Sequence, residues 1–272
     1  MTAGGDAPGR GPRLVTGSAL VTGGGSGIGR AVALALAEAG APVAVLDLHA
    51  DGARETVARI AEQGGRGLAL TGDASRPDEV DRAVSAAVAG LGPLGMAVTA
   101  AGVLDGYQPV DEMAPAVWEK VIAINLTGTF LAARRVLAEM LPRRAGRIVA
   151  IASVAGLVGS GGGPAYTASK HGVVGLVRQL AITYAERGVT INAVCPGAVA
   201  TALRATSTRI LGADAPPMRG IGGDDAAVRA ITPAGRRGTV EEVAAAVRYL
   251  CSEEAAYVTG HALVVDGGWT AR

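Results

Sequence analysis

The stretch Thr22-Gly23-Gly24-Gly25-Ser26-Gly27-Ile28-Gly29 joins a short apolar run to a segment with helical periodicity. Glycines allow a tight turn and let a ligand approach the backbone closely. The helix that follows would offer free N–H groups and a positive dipole end to a pyrophosphate. The spacing is T-G-x-x-x-G-x-G, and G-x-G-x-x-G does not fit. The stretch therefore predicts a dinucleotide site, with a purely structural glycine loop as the alternative.

Outward from this turn, short apolar runs alternate with longer helical patterns. Predicted strands occupy residues 19–22, 43–47, 67–71, 96–99, 147–152, 190–195 and 262–266. Predicted helices occupy residues 28–39, 51–63, 77–89, 115–140, 165–187 and 240–251. Several of the runs are apolar on both faces, as expected of parallel strands covered by helices on both sides. The alternation predicts an α/β fold, a single Rossmann-type doubly wound domain with about seven parallel strands.

Two segments fall outside this alternation. Residues 1–13 are rich in glycine and proline and lack an apolar run, which indicates a mobile N-terminal tail and not a signal peptide. The Rossmann-fold domain is then expected to span residues 14–272. Within it, residues 201–232 form a long, weakly periodic stretch that contains glycine and proline. Such a stretch in a compact domain is often functional, so we predict a substrate-binding lid there.

Composition narrows the class of protein. Hydrophobic residues make up 49% of the chain, charged residues 18%, and the formal net charge is +1. These values indicate a globular protein without a charge-driven nucleic-acid or membrane surface, and the apolar runs are shorter than a membrane span needs. Cys195 and Cys251 lack metal or redox spacing, which favours packed, reduced thiols in a cytoplasmic protein. The three histidines lack ligand spacing, so no metal site is predicted.

Asp47 ends the second predicted strand, 20 residues after Gly27. A carboxylate at this position bonds the adenosine ribose hydroxyls, and it would repel a 2′-phosphate. Neither Ser26 nor Leu48 offers the positive charge that such a phosphate needs. The pattern therefore predicts NAD in preference to NADP. A plain strand-end cap is the alternative role for Asp47.

Tyr166 and Lys170 form a Tyr-x-x-x-Lys motif in a chain that has only one other lysine, Lys120, among 25 basic residues. Four residues apart on a helix places both side chains on one face. A nearby cation lowers the pKa of tyrosine from about 10, which makes the phenol a plausible general acid/base. Taken alone, the pair could equally be a surface tyrosine beside a solvated lysine.

Further motifs occur along the chain in an order typical of one family. They are Thr22-Gly23-x-x-x-Gly27-x-Gly29, Asp73, Ala101-Gly102, Asn125, Ser153, Tyr166-x-x-x-Lys170, Pro196-Gly197 and Thr201. With these motifs the chain resembles the classical short-chain dehydrogenase/reductase family over essentially residues 14–269. The resemblance implies an oxidoreductase that uses NAD to interconvert a secondary alcohol and a ketone. It also implies a homotetramer acting on a small molecule.

The resemblance assigns roles to individual residues. Tyr166 would exchange a proton with the substrate oxygen, and Ser153 would hydrogen-bond and polarise that oxygen. Lys170 would bind the nicotinamide ribose and lower the pKa of Tyr166, while Asn125 would hold a water that links the lysine to solvent. Besides Tyr166 and Lys170, the implied cofactor contacts are Gly23, Ser26, Gly27, Ile28, Gly29, Asp47, Asp73, Ala74, Ala101, Gly102, Pro196, Gly197, Val199 and Thr201.

Several of these residues have structural alternatives. Asp73 would meet the adenine amino group, or it would cap the helix predicted after it. Thr201 would engage the nicotinamide carboxamide, or it would be a helix N-cap. Ser153 could simply end a buried strand. Asn125 lies in an apolar helical stretch, where a buried amide needs partners, so it could stabilise a kink as well as serve the relay.

One position departs from the family pattern, and two rival functions stay open. Thr99 stands where the family usually has asparagine, which puts sheet-stabilising bonds in doubt but not the proton chemistry. A 3-oxoacyl-carrier-protein reductase would favour NADPH and a basic docking surface. A redox-inactive NAD-binding scaffold would tend to lose the tyrosine or the lysine. The arginines at 204, 209 and 219 could meet a carboxylate or phosphate, with solvated loop arginines as the alternative.

Overall fold

A seven-stranded parallel sheet organises the protein, for which the computed structural model describes residues 12–271. The strands are β1 (Ser18–Thr22), β2 (Val43–Asp47), β3 (Gly67–Thr71), β4 (Leu94–Thr99), β5 (Gly146–Ile151), β6 (Val189–Pro196) and β7 (Ala262–Val265). Their spatial order is β3-β2-β1-β4-β5-β6-β7. The predicted Rossmann-type doubly wound sheet is confirmed. Most of the predicted tail, residues 1–11, lies outside the described residues.

Helices cover both faces of this sheet. In the described part of the chain they are α1 (Gly27–Glu38), α2 (Ala50–Glu62), α3 (Pro77–Leu91), α4 (Pro115–Ile122), α5 (Gly128–Met140), α6 (Pro164–Tyr184), α7 (Leu203–Leu211), α8 (Asp225–Ile231) and α9 (Val240–Leu250). A π-helical turn, Ala123–Thr127, joins α4 to α5. Helices α7 and α8 lie inside the 201–232 stretch and were not predicted, because elements of two turns are too short to show a clear period.

Each face of the sheet carries its own core. Successive side chains of a strand point to opposite faces. Leu20 therefore packs in the cluster that contains residues of α3, α5 and α6, whereas Ala19 and Val21 pack with residues of α1, α2 and α9. All three side chains are buried. This double burial is why the strands are apolar on both faces.

The strand order reverses at β1, which pairs with β2 on one side and with β4 on the other. Connections diverge at such a point and leave a crevice outside the carboxyl ends of the strands. Residues Gly23, Ala101, Ser153 and Gly197 directly follow, or follow within two residues, the ends of β1, β4, β5 and β6. The motifs that are scattered along the sequence thus meet along one edge of the sheet.

The segment Pro115–Arg143 is long and apolar enough, by length and composition, to cross a membrane. It is not an uninterrupted apolar run, because it contains Glu119, Lys120 and Arg134. In the folded protein 44% of its most apolar window is buried. Ala132, Val136 and Leu137 belong to the core beneath the sheet. Packing against the sheet accounts for its apolar character.

Cys195 and Cys251 are free, fully buried thiols, so the predicted packing is confirmed. Burial raises the pKa of Cys195 to about 11 and the pKa of Cys251 to about 12. Both sulfurs are therefore protonated near neutral pH, and the thiolate is the reactive form of cysteine.

Thr99, the departure from the family pattern, is buried at the end of β4. Its hydroxyl oxygen has no hydrogen-bond partner among the described residues. A buried polar group without a partner costs free energy. The doubt about stabilising bonds at this position is therefore supported by the structure.

Candidate active site

A cavity of about 460 Å³, here called the main cavity, opens at the carboxyl ends of the strands. Every residue predicted to contact the cofactor lines it: Gly23, Ser26, Gly27, Ile28, Gly29, Asp47, Asp73, Ala74, Ala101, Gly102, Tyr166, Lys170, Pro196, Gly197, Val199 and Thr201. Ser153 lines it as well, whereas Asn125 does not. The fold thus gathers the scattered motifs around one space.

The glycine turn is built by close backbone approach. Gly23 has a φ of +67°, and a Cβ placed there would lie 2.6 Å from the backbone nitrogen of Ala101. A Cβ on Gly29 would overlap the carbonyl oxygen of Gly23. Helix α1 has no acidic residue in its first turn, and its N-cap Ser26 makes no side-chain capping bond. The first N–H groups of α1 are therefore open to an anion.

The carboxylate of Asp47 ties β2 to this turn. Its Oδ2 accepts a hydrogen bond from the backbone N–H of Gly25 at 2.8 Å, and its Oδ1 accepts one from His49 at 2.9 Å. The capping alternative is therefore real. It does not compete with a ligand role, because Asp47 also lines the main cavity and a carboxylate accepts more than two hydrogen bonds.

Arg30 is the basic residue closest to the glycine turn in sequence. Its guanidinium donates to both oxygens of Glu55 at 2.8 Å and to the hydroxyl of Thr56 at 3.1 Å. It also donates to the carbonyl oxygen of Gly25. The ion pair holds the pKa of the Glu55 carboxyl below its ordinary value. Arg30 does not line the main cavity, so its charge is directed to α2.

Asp73 and Thr201 also have structural contacts beside their place in the cavity wall. Asp73 Oδ1 accepts from the backbone N–H of Ser75 at 2.8 Å and from its hydroxyl at 2.7 Å. The hydroxyl of Thr201 accepts from the N–H of Leu203 at 3.4 Å, where α7 begins. Both positions therefore combine a local turn with exposure to the cavity.

Tyr166 and Lys170 share one face of α6, as their spacing predicted. The Nζ of Lys170 lies 5.6 Å from the centroid of the tyrosine ring. The two residues are 7% and 4% exposed. The alternative of a surface tyrosine beside a solvated lysine is therefore wrong.

Burial governs how this pair titrates. It raises the pKa of Tyr166, and the hydroxyl of Ser153 opposes that rise by hydrogen bonding. It lowers the pKa of Lys170 to about 8. The expectation that Lys170 lowers the pKa of Tyr166 is not met in this structure, because a dry environment disfavours both the phenolate and the ammonium.

The ammonium of Lys170 is anchored at the end of β5, where Nζ donates to the carbonyl oxygen of Ile151 at 2.8 Å. An ammonium has three donors, so two remain for other partners. A Cβ placed on Gly102 would lie 3.3 Å from Asn125 Oδ1 and 3.6 Å from Lys170 Nζ. Glycine at 102 therefore keeps this space open beside the lysine.

Asn125 lies in the π-helical turn between α4 and α5 and is fully buried. Its Oδ1 accepts from the N–H of Val103 at 2.8 Å, while its Nδ2 donates to Val103 O and to Ser169 Oγ, each at 3.0 Å. The hydroxyl of Thr129 donates to the Asn125 carbonyl at 2.8 Å. The amide therefore joins the loop after β4 to α6, at a helix irregularity of a kind frequent at functional sites.

Ser153 follows β5 and caps a short turn, where its Oγ accepts from the N–H of Ala155 at 3.1 Å. Ser153 and Tyr166 line the main cavity and also a second cavity of about 410 Å³, here called the side cavity. The two hydroxyl-bearing residues therefore stand where the two spaces meet. The strand-end alternative for Ser153 describes only part of its setting.

The side cavity takes much of its wall from the 201–232 stretch. Residues of this stretch that line it are Thr201, Leu203, Arg204, Gly222, Asp225 and Val228. The main cavity also receives Ala202, Thr206 and Ile210 from the same stretch. Among residues 12–271, no group of three or more His, Cys, Asp or Glu side chains could hold a metal ion.

Asp105 is a site residue that sequence reasoning missed. It is fully buried in the loop after β4. Its Oδ1 accepts from the backbone N–H groups of Gly163 at 3.1 Å and Tyr107 at 3.2 Å. Its Oδ2 accepts from the backbone N–H of Tyr166 at 2.9 Å. The only sequence signal is an acid that follows the apolar pair Val103-Leu104. That signal does not reveal the two distant partners, Gly163 and Tyr166, which lie 58 and 61 residues away.

The chain is similar to known proteins over most of its length. The family model described as Enoyl-(Acyl carrier protein) reductase matches residues 23–270. The 2-(S)-hydroxypropyl-CoM dehydrogenase 3 of Xanthobacter autotrophicus is 41% identical over 251 residues, which is 92% of this chain and 95% of that protein. The cyclohexanol dehydrogenase of an Acinetobacter species is 36% identical over 254 residues, 93% of this chain and 95% of that protein.

Comparison with solved structures indicates the same class of protein. The crystal structure of a short-chain type dehydrogenase/reductase from Mycobacterium marinum matches with a TM-score of 0.84 at 32% identity, covering 95% of this chain and 97% of that one. The protein is thus an oxidoreductase that interconverts an alcohol and a ketone with a nicotinamide cofactor. The chain belongs to the classical short-chain dehydrogenase/reductase family.

Proposed function

We propose that the protein is an NAD-dependent dehydrogenase of a small secondary alcohol, with Tyr166 as its general acid/base. The observation that carries this proposal is the placement of Ser153 and Tyr166 in the walls of both cavities. A dinucleotide in the main cavity and a substrate in the side cavity would then meet at these two hydroxyls.

The residues of the main cavity fit a dinucleotide. The turn at Gly23 and Gly29 has no room for side chains, and the first turn of α1 carries no competing acid. These are the features that admit a pyrophosphate. Gly102 leaves open the space beside Lys170, whose two remaining ammonium donors would bind the ribose hydroxyls.

The charges around Asp47 favour NAD over NADP. Its carboxylate would accept hydrogen bonds from the ribose hydroxyls, and it would repel a phosphate at the 2′ position. The nearby positive charge of Arg30 is engaged by Glu55 and lies outside the cavity lining. A 2′-phosphate would therefore face the negative charge of Asp47, and Arg30 would not compensate that charge.

The proton chemistry follows from the same side chains. When bound, the nicotinamide exchanges a hydride at its C4 carbon, and its oxidised ring carries a positive charge. Ser153 would hold the substrate oxygen by hydrogen bonding. Tyr166 would take the hydroxyl proton during oxidation and return it during reduction. Since burial raises the pKa of Tyr166, the phenol stays protonated until cations stand beside it.

Asn125 and the 201–232 stretch have supporting roles in this proposal. A relay from Lys170 to solvent would use the second lone pair of Asn125 Oδ1, since both groups border Gly102. The 201–232 stretch would act as a lid, because it contributes to the walls of both cavities. We retain a tail at residues 1–13 and one domain at residues 14–272 as predictions.

We also propose a homotetramer in the cytoplasm. Trp118 on α4, Phe130 on α5 and Ile182 on α6 are 41%, 45% and 84% exposed, and exposed large apolar side chains favour association. Light scattering in solution tests the assembly. A monomer at micromolar concentration would contradict it.

A 3-oxoacyl-carrier-protein reductase is the second candidate, because a 3-oxoacyl-[acyl-carrier-protein] reductase is 38% identical to this chain over 252 residues. Asp47 and the engaged Arg30 speak against the NADPH that this rival favours. A redox-inactive scaffold is disfavoured, because Tyr166, Lys170 and Ser153 are all present and gathered around one cavity.

Steady-state kinetics with a panel of secondary alcohols separates these functions. We expect NADH absorbance to grow with NAD, and kcat/KM for NAD to exceed that for NADP about 10- to 100-fold, as like-charge repulsion of this size implies. A preference for NADP would contradict the role of Asp47. Cofactor binding without turnover of any alcohol or ketone would favour the scaffold.

A further inference from the structure

We infer that the substrate carries an anionic group and that Arg204 binds this group in the side cavity. The inference rests on the proposed function, since the side cavity holds the substrate only if the main cavity holds the dinucleotide. It adds what the proposed function leaves open, namely the chemical class of the alcohol or ketone.

The charges on the wall of the side cavity do not cancel. Its charged lining residues are Arg204, Asp225 and Arg237. The Nε of Arg237 donates to Asp225 Oδ1 at 2.6 Å, and this ion pair lowers the pKa of the Asp225 carboxyl. Within residues 12–271, Arg204 forms no ion pair with a carboxylate. One positive charge is therefore left over.

Arg204 is held in place by backbone groups. It lies in the first turn of α7, and its guanidinium donates to the carbonyl oxygens of Arg219, at 3.1 Å, and Met218. A Cβ on Gly222 or Gly223 would lie 3.5 Å from its terminal nitrogens, so this turn packs on it. Two of five N–H donors are thus used, which leaves three for a ligand.

The other two arginines named from the sequence do not share this setting. Arg219 pairs with Glu112 at 2.7 Å, and Arg209 is exposed on the same helix as Arg204. Neither lines the main or the side cavity. The alternative of a solvated arginine therefore describes Arg209, although it lies in a helix, whereas Arg204 lines the side cavity.

Two further groups near the side cavity, Tyr107 and Asp105, do not neutralise the charge of Arg204. Tyr107 lines the cavity, and its hydroxyl donates to the carbonyl oxygen of Gly161 at 2.6 Å. Burial raises the pKa of Tyr107, and the charge of Arg204 opposes that rise. The positive charge of Arg204 is therefore felt by groups inside the side cavity. The buried carboxylate of Asp105 is outside the lining and is satisfied by three backbone N–H groups.

The size and lining of the side cavity define the rest of the ligand. A volume of about 410 Å³ is at the small end for ligand sites. Apolar side chains that line it are Leu104, Val154, Val228 and Trp269. A guanidinium matches carboxylate-like oxygen pairs in geometry. The structure therefore favours a short aliphatic hydroxy or keto compound that ends in a carboxylate or sulfonate.

The test compares matched ketones with NADH as the reductant. The probes are 4-oxopentanoate, 5-oxohexanoate, 6-oxoheptanoate, their methyl esters and 5-oxohexane-1-sulfonate. For at least one chain length we expect kcat/KM of an anion to exceed that of its neutral partner by about tenfold or more, the effect of one charged hydrogen bond. The carboxylate and sulfonate arms show which anion the site prefers.

Variants assign this preference to Arg204. Arg204→Met is expected to lose about 10- to 100-fold on the anions and little on the esters. Arg204→Lys retains the positive charge without the bidentate guanidinium. Its turnover of the anions should fall between that of the native protein and that of Arg204→Met. This intermediate result guards against a folding defect in Arg204→Met. Arg209→Met, on the same helix but outside both cavities, is the matched control and should leave the ratio unchanged.

A binding measurement that needs no turnover completes the test. Calorimetry on the NAD-bound protein should show tighter binding of hexanoate than of hexanamide, and Arg204→Met should remove the difference. Three results would overturn the inference and leave the proposed function in place. They are equal binding of hexanoate and hexanamide, equal turnover of acid and ester, and equal losses in Arg204→Met and Arg209→Met. Absence of turnover for every ketone would instead contradict the proposed function.

Discussion

The carboxylate of Asp105 holds the backbone of Tyr166, with Oδ2 2.9 Å from the tyrosine N–H. Through Gly163 it also caps the start of α6, the helix that carries Tyr166 and Lys170. The same charge raises the pKa of the phenol. One buried acid therefore positions the tyrosine and opposes its ionisation.

Asp105→Asn should separate these two effects. The amide keeps the size of the side chain but cannot accept from every N–H, so we expect a loss in kcat of about tenfold or more and reduced stability. Removal of the negative charge should lower the pKa of Tyr166 and move the pH profile of alcohol oxidation toward lower pH.

Asp111 is exposed in the same loop and supplies the control. Asp111→Asn should change neither kcat nor the pH profile. If Asp105→Asn lost activity with an unshifted pH profile, Asp105 would be a structural cap without influence on the proton chemistry.

Asp47→Asn tests the origin of the cofactor preference. The change removes the charge that would repel a 2′-phosphate, so the ratio of kcat/KM for NAD over NADP should fall about tenfold or more. Steady-state kinetics with both cofactors measures it. Asp51→Asn, on the exposed side of α2, is the control, and an equal fall there would contradict the assignment.

The buried Lys170 predicts a specific dependence of stability on pH. Burial lowers the pKa of Lys170 to about 8, whereas an unfolded lysine titrates near 10.4. Between these values the unfolded chain binds a proton that the folded protein lacks, so the lysine's unfavourable contribution is relieved as pH rises. Lys170→Met should therefore gain stability relative to the native protein below pH 8, and the gain should shrink toward about pH 10.

Denaturant unfolding at several pH values gives this difference in unfolding free energy. Lys120→Met, at the only other lysine of the chain, is the control. A difference between native protein and Lys170→Met that stays constant from below pH 8 to about pH 10 would show that Lys170 does not titrate in this range.

The unsatisfied hydroxyl of Thr99 predicts a stabilising substitution. Valine has nearly the same shape and no polar atom, so Thr99→Val should raise the unfolding free energy by about 1 kcal/mol. Thr129→Val is the matched control, because that hydroxyl donates to the Asn125 carbonyl and its loss should destabilise the protein by about 1 kcal/mol. Urea unfolding measures both, and a destabilised Thr99→Val would contradict this reading.

The sheet could be predicted from sequence because its signals are local. The run Val43–Asp47 is apolar on both faces, and each strand candidate before the last is followed by a helical period. The site could be predicted in part for the same reason. Motifs that follow parallel strands must meet at one edge of the sheet, which is where Gly23, Ser153 and Gly197 lie.

What the sequence could not predict depends on contacts between distant segments. The capping of Tyr166 by Asp105 spans 61 residues and has no motif. The setting of Arg204 depends on two backbone carbonyls of the same stretch, which only the fold brings to its guanidinium. The direction of the pKa shift at Tyr166 follows from burial, which a helical spacing to Lys170 does not reveal.

The role of Tyr166 is tested most directly by Tyr166→Phe, which keeps the buried ring and removes only the hydroxyl. Turnover of a secondary alcohol and the Kd for NAD should be measured on the same preparation. Loss of acid/base catalysis predicts a fall in kcat of about 10²- to 10⁴-fold, with NAD binding nearly unchanged. Turnover at the native rate would show that Tyr166 is not the acid/base.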